Sequence, residues 1–124
     1  MTQILFIAVA GALGTLLRYA LTHATRSINV AGFAWGTLLA NALGCLLIGV
    51  LLGIGKERDI FSPNLMRAIT VGFLGALTTF STFTADTVNL YSANQVMAAM
   101  GYAVANLVAG FTLFYVGGII ARAI

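Results

Sequence analysis

Hydroxyl-bearing and aromatic residues alternate in one apolar stretch, residues 78–84, where four threonines and a serine fall within seven residues. Phe80 and Phe83 interrupt this run and, being three residues apart, share one helix face. Gly72 and Gly75 precede it, and glycines together with β-branched hydroxyl residues weaken a helix. At membrane depth a broken helix survives where it lines a cavity, and its freed carbonyls and helix N-termini commonly carry ion sites. The stretch therefore favours a helix break at an ion pathway over a lipid-facing stripe of phenylalanines.

Two other stretches align polar residues on one helix face. Thr37 and Asn41 are four residues apart, and Tyr102, Asn106 and Gly110 follow one another at the same spacing. Each amide could bond a neighbouring helix and serve only as structural glue, because polar groups within a span are costly without partners. Two aligned rows on two helices favour the other interpretation, a water-accessible path.

Arg18 lies within the first apolar segment, one turn after Gly14. Its side chain could snorkel to the headgroup region. It could also supply a positive field to an anion in a vestibule. The sequence leaves both interpretations open.

Composition indicates what must surround these residues. Of the 124 residues, 60% are hydrophobic and 7% are charged, and the mean hydropathy is +1.02. Soluble globular chains carry about 25% charged residues, so lipid is the solvent that fits this chain. The net charge of +3 comes from scattered basic residues without the stripe that would follow nucleic-acid phosphates, so no nucleic acid is expected as a partner.

The sequence lacks the residues that several classes of function require. Cys45 is the only cysteine and His23 the only histidine, which leaves no ligand set for zinc or haem. The only acids are Glu57, Asp59 and Asp86, so the chain offers little for acid–base catalysis and is not expected to be an enzyme. The apolar start, without a basic n-region, predicts a first membrane helix rather than a signal peptide.

The hydropathy pattern predicts an all-α fold with a single transmembrane domain over residues 1–124. A membrane helix needs about 20 mostly apolar residues. Four such helices are expected, at approximately 4–23, 33–54, 65–90 and 96–120. Four helices are too few to enclose a pore, so the chain is expected to work as an oligomer.

Glycine spacing predicts close helix packing. Gly36, Ala40 and Gly44 form a row of small residues on the second helix, and Gly49 and Gly53 repeat the spacing. Such rows let helix backbones approach closely in lipid.

The distribution of basic residues predicts only a weak preference for one orientation in the membrane. An even number of spans places both termini and the second loop on one side. That side carries four basic residues, Lys56, Arg58, Arg67 and Arg122. The opposite side offers Arg26, with Arg18 about two turns inside the membrane, so the positive-inside bias is small and insertion in both directions stays possible.

The motifs of the second and third helices closely resemble the signature of the Fluc (CrcB) family of fluoride channels. They are the strings Gly72-Phe73-Leu74-Gly75, Thr78-Thr79-Phe80-Ser81-Thr82-Phe83 and Trp35-Gly36-Thr37-Leu38-Leu39-Ala40-Asn41. The resemblance extends over the whole chain, in its length, its four spans, an arginine in the first helix and a tyrosine on the fourth.

The resemblance implies a dual-topology homodimer of two antiparallel subunits with two fluoride pores. It implies passive fluoride export across the bacterial cytoplasmic (inner) membrane, which protects the cell from fluoride toxicity. A structural sodium ion at the dimer centre would be held by backbone carbonyls at the break, which correspond to Gly75 and Thr78.

The resemblance also implies roles for individual residues. The family's pore phenylalanines correspond to Phe80 and Phe83, its pore asparagine to Asn41, and its hydroxyl track to Ser81 and Thr82. Its fourth-helix tyrosine corresponds to Tyr102, and Asn106 stands where some relatives have serine. The expected pore lining is therefore Thr37, Asn41, Phe80, Ser81, Thr82, Phe83, Tyr102 and Asn106, with Arg18 in a vestibule.

Two other functions compete with the channel. A proton-coupled exporter of cationic compounds, also built as an antiparallel four-helix dimer, needs a carboxylate deep in the membrane. The first helix carries Arg18 and no acid, and Asp86 lies toward the end of the third, which argues against the exporter. A scaffold protein without transport activity explains the glycine rows but leaves the Thr/Ser/Phe stretch unexplained.

Overall fold

A computed structural model describes residues 1–28, 30–58 and 61–124, with the backbone alone for residues 56–58. Asp59, part of the predicted second loop, lies outside the described residues. Six α-helices and one π-helical segment follow in order: α1 (Thr2–Thr25), α2 (Trp35–Arg58), α3 (Pro63–Arg67), the π-helical segment (Ala68–Leu74), α4 (Gly75–Leu77), α5 (Phe80–Ser92) and α6 (Val96–Ala123). The part of the chain that the structure describes is therefore all-helical.

Four stretches are long and apolar enough to cross a membrane. They are Thr2–Thr25, Trp35–Gly55, Pro63–Ser92 and Val96–Ala123. The third span comprises α3, the π-helical segment, α4 and α5. Helices suit lipid because every backbone polar group can be satisfied within the segment.

The third span begins at a local start signal. Pro63 occupies the first turn, where its missing N–H removes no helical hydrogen bond, and the Ser62 hydroxyl accepts from the Leu65 N–H at 3.3 Å. The span ends in a turn in which Asn94 has φ 60°, a left-handed conformation that asparagine tolerates. The Gln95 N–H donates to the Leu90 carbonyl at 3.0 Å and closes that turn.

Glycines on α2 face two different neighbours. A Cβ on Gly49 would collide with the Phe114 carbonyl oxygen, and one on Gly53 with the Cβ of Ala121, so these glycines let α2 lie directly against α6. A Cβ on Gly44 would instead collide with the Cγ2 of Thr78, and one on Gly36 would come within 2.5 Å of the Thr22 Cα. Gly36 and Gly44 of the first row therefore let α1 and the third span pack closely on α2. Gly49 and Gly53 of the second row do the same for α6.

α1 packs against the first half of the third span. A Cβ on Gly14 would collide with the Phe73 carbonyl oxygen, and one on Gly72 would lie 2.7 Å from the Ile7 carbonyl oxygen. A small core of Ala40, Leu51, Leu74 and Leu77 joins these elements to α2. The described chain thus forms a four-span bundle in which α2 packs against α1, the third span and α6.

Candidate functional site

The middle of the third span is where helical geometry is interrupted. α4 ends at Leu77, and α5 starts at Phe80. Thr78 (φ −82°, ψ 152°) and Thr79 (φ −150°, ψ 115°) between them are extended. Because the span runs over Pro63–Ser92, this extended link stands close to its centre. A helix that ends here leaves carbonyl groups without intrahelical donors, and the helix that follows leaves N–H groups without acceptors.

Asn41 on α2 holds the backbone of this link. Its Oδ1 accepts from the Thr79 N–H at 2.8 Å, and its Nδ2 donates to the Thr79 carbonyl at 3.2 Å. The Thr79 N–H can only donate, so it fixes which amide atom is the oxygen. The side chain therefore binds both polar groups of one residue, as a neighbouring strand would.

Asn106 on α6 completes this arrangement. The Asn41 Nδ2 also donates to the Asn106 Oδ1 at 3.3 Å, and the Asn106 Nδ2 donates to the Tyr102 carbonyl of its own helix at 3.0 Å. An amide nitrogen carries two hydrogens, so both hydrogens of Asn41 already have acceptors. The structure thus brings Asn41 and Asn106 together with Thr79, whose role the motif did not indicate.

The Thr79 hydroxyl caps α5 and contacts both residues of the predicted hydroxyl track, Ser81 and Thr82. It accepts from the Thr82 N–H at 3.2 Å and donates to the Thr82 Oγ1 at 3.0 Å. The Ser81 Oγ lies 3.3 Å away, with either oxygen able to donate. Thr82 is the acceptor in this contact, so its own hydroxyl proton is not used by Thr79.

Three aromatic rings adjoin these hydroxyls. The ring centroids of Phe80 and Phe83 are 5.6 Å apart, and those of Phe83 and Tyr102 are 5.9 Å apart. Phe80 is 77% exposed in the isolated chain, whereas Tyr102 is fully buried. The predicted pore phenylalanines therefore adjoin each other, and one of them packs on the fourth-helix tyrosine.

A second polar cluster lies further along α5. The Thr37 hydroxyl donates to the Asp86 carboxylate at 2.9 Å. The Tyr102 hydroxyl has two acceptors in reach, the same carboxylate oxygen at 3.3 Å and the Ala34 carbonyl at 3.4 Å. Thr37 and Tyr102 were expected from the sequence, but Asp86 was expected only as an argument against the exporter. The signal that could have found it is its position as an ionisable residue within a span.

Arg18 borders a cavity of about 490 Å³ beside this cluster. Thr37, Thr79, Thr82 and Asp86 line the same cavity, together with further residues of α1. Among the described residues, the buried Nε of Arg18 finds no hydrogen-bond partner. The arginine therefore lies at the predicted polar region and carries a positive charge to its edge.

A larger apolar groove of about 690 Å³ lies on the other side of the extended link. Its polar wall includes Gly75, Thr78, Thr79 and Asn41, and its apolar wall includes exposed aromatic residues of α6 such as Phe111. The sodium positions predicted from the motif, Gly75 and Thr78, thus open onto this groove. Among the described residues no group of three or more His, Cys, Asp or Glu side chains could hold a metal ion.

Four membrane-length helices with polar clusters between them make the chain an integral membrane protein with a candidate polar path. The chain matches the family of the CrcB-like protein, Camphor Resistance (CrcB), over residues 5–118, and it belongs to that family.

Three relatives match the chain over 93% to 100% of its length. It is 38% identical over 124 residues to a fluoride-specific ion channel FluC of Citrifermentans bemidjiense, covering 100% of both chains. It is 41% identical over 115 residues to a fluoride-specific ion channel FluC 1 of Staphylococcus aureus strain NCTC 8325, covering 93% of each chain. It is 38% identical over 117 residues to the FluC of Nitratidesulfovibrio vulgaris, covering 94% of each chain.

Proposed function

We propose that this protein is a fluoride-selective ion channel that lets fluoride leave the cell passively and so protects it from fluoride toxicity. The observation that carries the proposal is the match, over 93% to 100% of the chain, to relatives named as fluoride-specific ion channels. Those relatives are bacterial, and the four membrane-length helices make the chain an integral protein of the bacterial cytoplasmic (inner) membrane. The competing exporter of cationic compounds is not favoured.

The polar groups around the extended link suit a small, strongly hydrated anion. A pore must replace the water of fluoride with hydrogen-bond donors, and the hydroxyls of Ser81 and Thr82 can donate at this place, with the Tyr102 hydroxyl in the neighbouring cluster. The edges of the Phe80 and Phe83 rings carry the positive part of the ring quadrupole and would support an anion that passes them edge-on. Asn41, Asn106 and Thr37 complete the polar lining.

The donors along the proposed path are neutral, which favours conduction over capture. Neutral hydrogen-bond donors bind an anion less tightly than a positively charged side chain would, and conduction requires that the ion also leaves the site. Arg18 lies at the cavity beside the link, where its field would draw anions into a vestibule without standing in the pore.

The proposed assembly is an antiparallel homodimer with one pore on each side. The apolar groove of about 690 Å³, with Phe80 at 77% and Tyr115 at 70% exposure, offers a surface that a second copy can cover. The small excess of basic residues on one side supports insertion in both orientations. In a Cys45→Ser background, a cysteine placed at Thr2 should react with impermeant maleimide from both sides of the membrane. Reaction from one side alone would exclude the dual topology.

A sodium ion at the dimer centre fits the residues at the link. Helix C-terminal carbonyls and unwound backbone coordinate sodium in membrane proteins, and the link supplies both beside the exposed Gly75. The Thr78 hydroxyl donates to the Leu74 carbonyl at 2.9 Å, and the backbone carbonyls of Gly75 and Thr78 are the sodium ligands proposed here. Bound there, sodium would supply charge that holds two such segments together, and it would not drive transport.

Flux from liposomes tests the proposed function. Purified protein should release fluoride down its gradient and should release chloride and an organic cation such as tetraphenylphosphonium at the rate of protein-free liposomes. Release of the organic cation driven by a proton gradient would favour the exporter. Release of none of the three would favour the scaffold.

A further inference from the structure

We propose that Asn41 and Asn106 act as positioning residues, a hydrogen-bonded bridge that fixes the Thr78–Thr79 link and through it the hydroxyl donors of the pore. The inference rests on the proposed fluoride channel and adds the means by which its donors are held in place. It assigns the two amides to the backbone of Thr79 rather than to the ion.

The first argument is the count of hydrogens on Asn41. Its Nδ2 has two, and they are directed to the Thr79 carbonyl at 3.2 Å and the Asn106 Oδ1 at 3.3 Å. Its Oδ1 accepts from the Thr79 N–H at 2.8 Å. In this arrangement the side chain offers a passing anion no free donor, and its remaining lone pair would repel one.

The second argument is that Asn106 has the orientation the bridge needs. Its Nδ2 is held on the Tyr102 carbonyl at 3.0 Å, which turns its Oδ1 away from that carbonyl and towards Asn41. Three elements are thereby joined, α2, α6 and the link between α4 and α5. A residue whose side chain offers no acceptor at position 106 would leave one hydrogen of Asn41 without a partner.

The third argument is that Thr79 carries the pore hydroxyls. Its Oγ1 contacts the Thr82 N–H at 3.2 Å, the Thr82 Oγ1 at 3.0 Å and the Ser81 Oγ at 3.3 Å. A rotation of the Thr79 backbone would therefore move the cap of α5 and both hydroxyls at once. The bridge fixes that rotation, so fluoride selectivity depends on residues that need not touch the ion.

The test combines liposome flux with amide hydrogen exchange at Thr79, measured by NMR on the reconstituted protein. Asn106→Leu preserves side-chain size and removes the acceptor, and Asn106→Ser keeps a shorter one. The exposed Asn89→Leu on α5 is the matched control, expected to behave as wild type. We expect Asn106→Leu to lower fluoride flux about tenfold, the rate change for one lost hydrogen bond of ordinary strength. The Thr79 N–H should exchange faster in the same variant, and Asn106→Ser should recover part of both effects.

Two results would overturn the inference. Reduced flux with unchanged exchange at Thr79 would make Asn106 a direct ligand of the ion. Wild-type flux and fluoride-over-chloride discrimination in Asn106→Leu would make the bridge irrelevant to permeation. If Asn106→Leu does not assemble, Asn106→Ser decides between these outcomes. If the wild-type protein does not conduct fluoride, the channel proposal fails, while the exchange measurement still tests the bridge.

Discussion

Two regions of the molecule bring helices together in opposite ways. Between α2 and α6 the contact is made by backbone and small side chains, and Gly49, Gly53 and Gly117 let the neighbouring helix approach closely. At the Thr78–Thr79 link the contact is polar: Asn41 of α2 and hydroxyls of α5 contact Thr79, and Asn106 of α6 contacts Asn41. The first region is determined by shape and the second by hydrogen-bond partners.

The contrast separates stability from function. This row of glycines between α2 and α6, the glycine seam, tolerates no added atoms, because an extra carbon meets backbone at Gly49 and Gly117 and the Ala121 Cβ at Gly53. A polar link within a membrane tolerates no lost partner, because an unpaired polar group in a low dielectric is costly. Substitutions in the seam should therefore act on folding, and substitutions at the link should act on permeation.

The largest expected effect is on folding, from Gly117→Ala in the seam. Its new Cβ would collide with the Leu46 carbonyl oxygen and lie 2.8 Å from the Val50 nitrogen. Overpacking against backbone should destabilise the protein by about 3 kcal/mol or more, seen as loss of monodisperse protein on size exclusion. Gly118→Ala is the control, since nothing lies within 4 Å of a Cβ there. Equal thermal stability of the two variants would show that the seam is not closely packed.

The next effect is on permeation, from Asn41→Asp. The change preserves size and replaces an amide donor with acceptor-only oxygens. The Thr79 carbonyl and the Asn106 Oδ1 lose their donor, and an ionised carboxylate would repel fluoride strongly at low dielectric. Fluoride efflux should be abolished while the dimer still assembles. Asn89→Asp, exposed on α5, should conduct normally, and a conducting Asn41→Asp would mean that the ion travels elsewhere.

A smaller effect is expected when the aromatic rings are replaced. Phe80→Ile and Phe83→Ile keep apolar bulk and remove the polarised ring edges, so flux should fall at one or both positions. Phe6→Ile, on the exposed face of α1, is the control. Near wild-type fluoride efflux in both variants would mean that these rings only pack and do not contact the ion.

The smallest effect is expected at the second polar cluster. Thr37→Val removes the 2.9 Å hydrogen bond to Asp86 and leaves the Tyr102 hydroxyl as a donor to the same carboxylate. One of two partners is lost, so flux should change only a few-fold, equivalent to about 1 kcal/mol or less. Thr112→Val, exposed on α6, should have no effect. Complete loss of flux in Thr37→Val would place Asp86 at the centre of permeation.

The sequence predicted the parts of this fold that depend on amino-acid composition and on the spacing of residues along a helix. The four spans follow from apolar length, and the two glycine rows follow from their spacing, since small residues every four positions have few other uses in lipid. Thr78 and Thr79, which begin the Thr/Ser/Phe stretch, have extended backbone dihedrals.

Other features were not predictable because they depend on contacts between distant residues. Asn41 and Thr79 are 38 positions apart, and no local rule states that an amide on one helix will bind the backbone of another. The π-helical segment Ala68–Leu74 has no composition that separates it from an ordinary helix. The role of Asp86 as acceptor for Thr37 and Tyr102 depends on how three helices meet.

The central claim, that the protein is a passive channel for fluoride, is tested most directly by the reversal potential of the current it carries across a planar bilayer. With fluoride unequal on the two sides and chloride, sodium and protons varied independently, the current should reverse at the Nernst potential of fluoride. Changing the other three gradients should leave that potential unchanged. A reversal potential that follows the sodium or proton gradient would contradict the account, because fluoride movement would then be coupled to another ion.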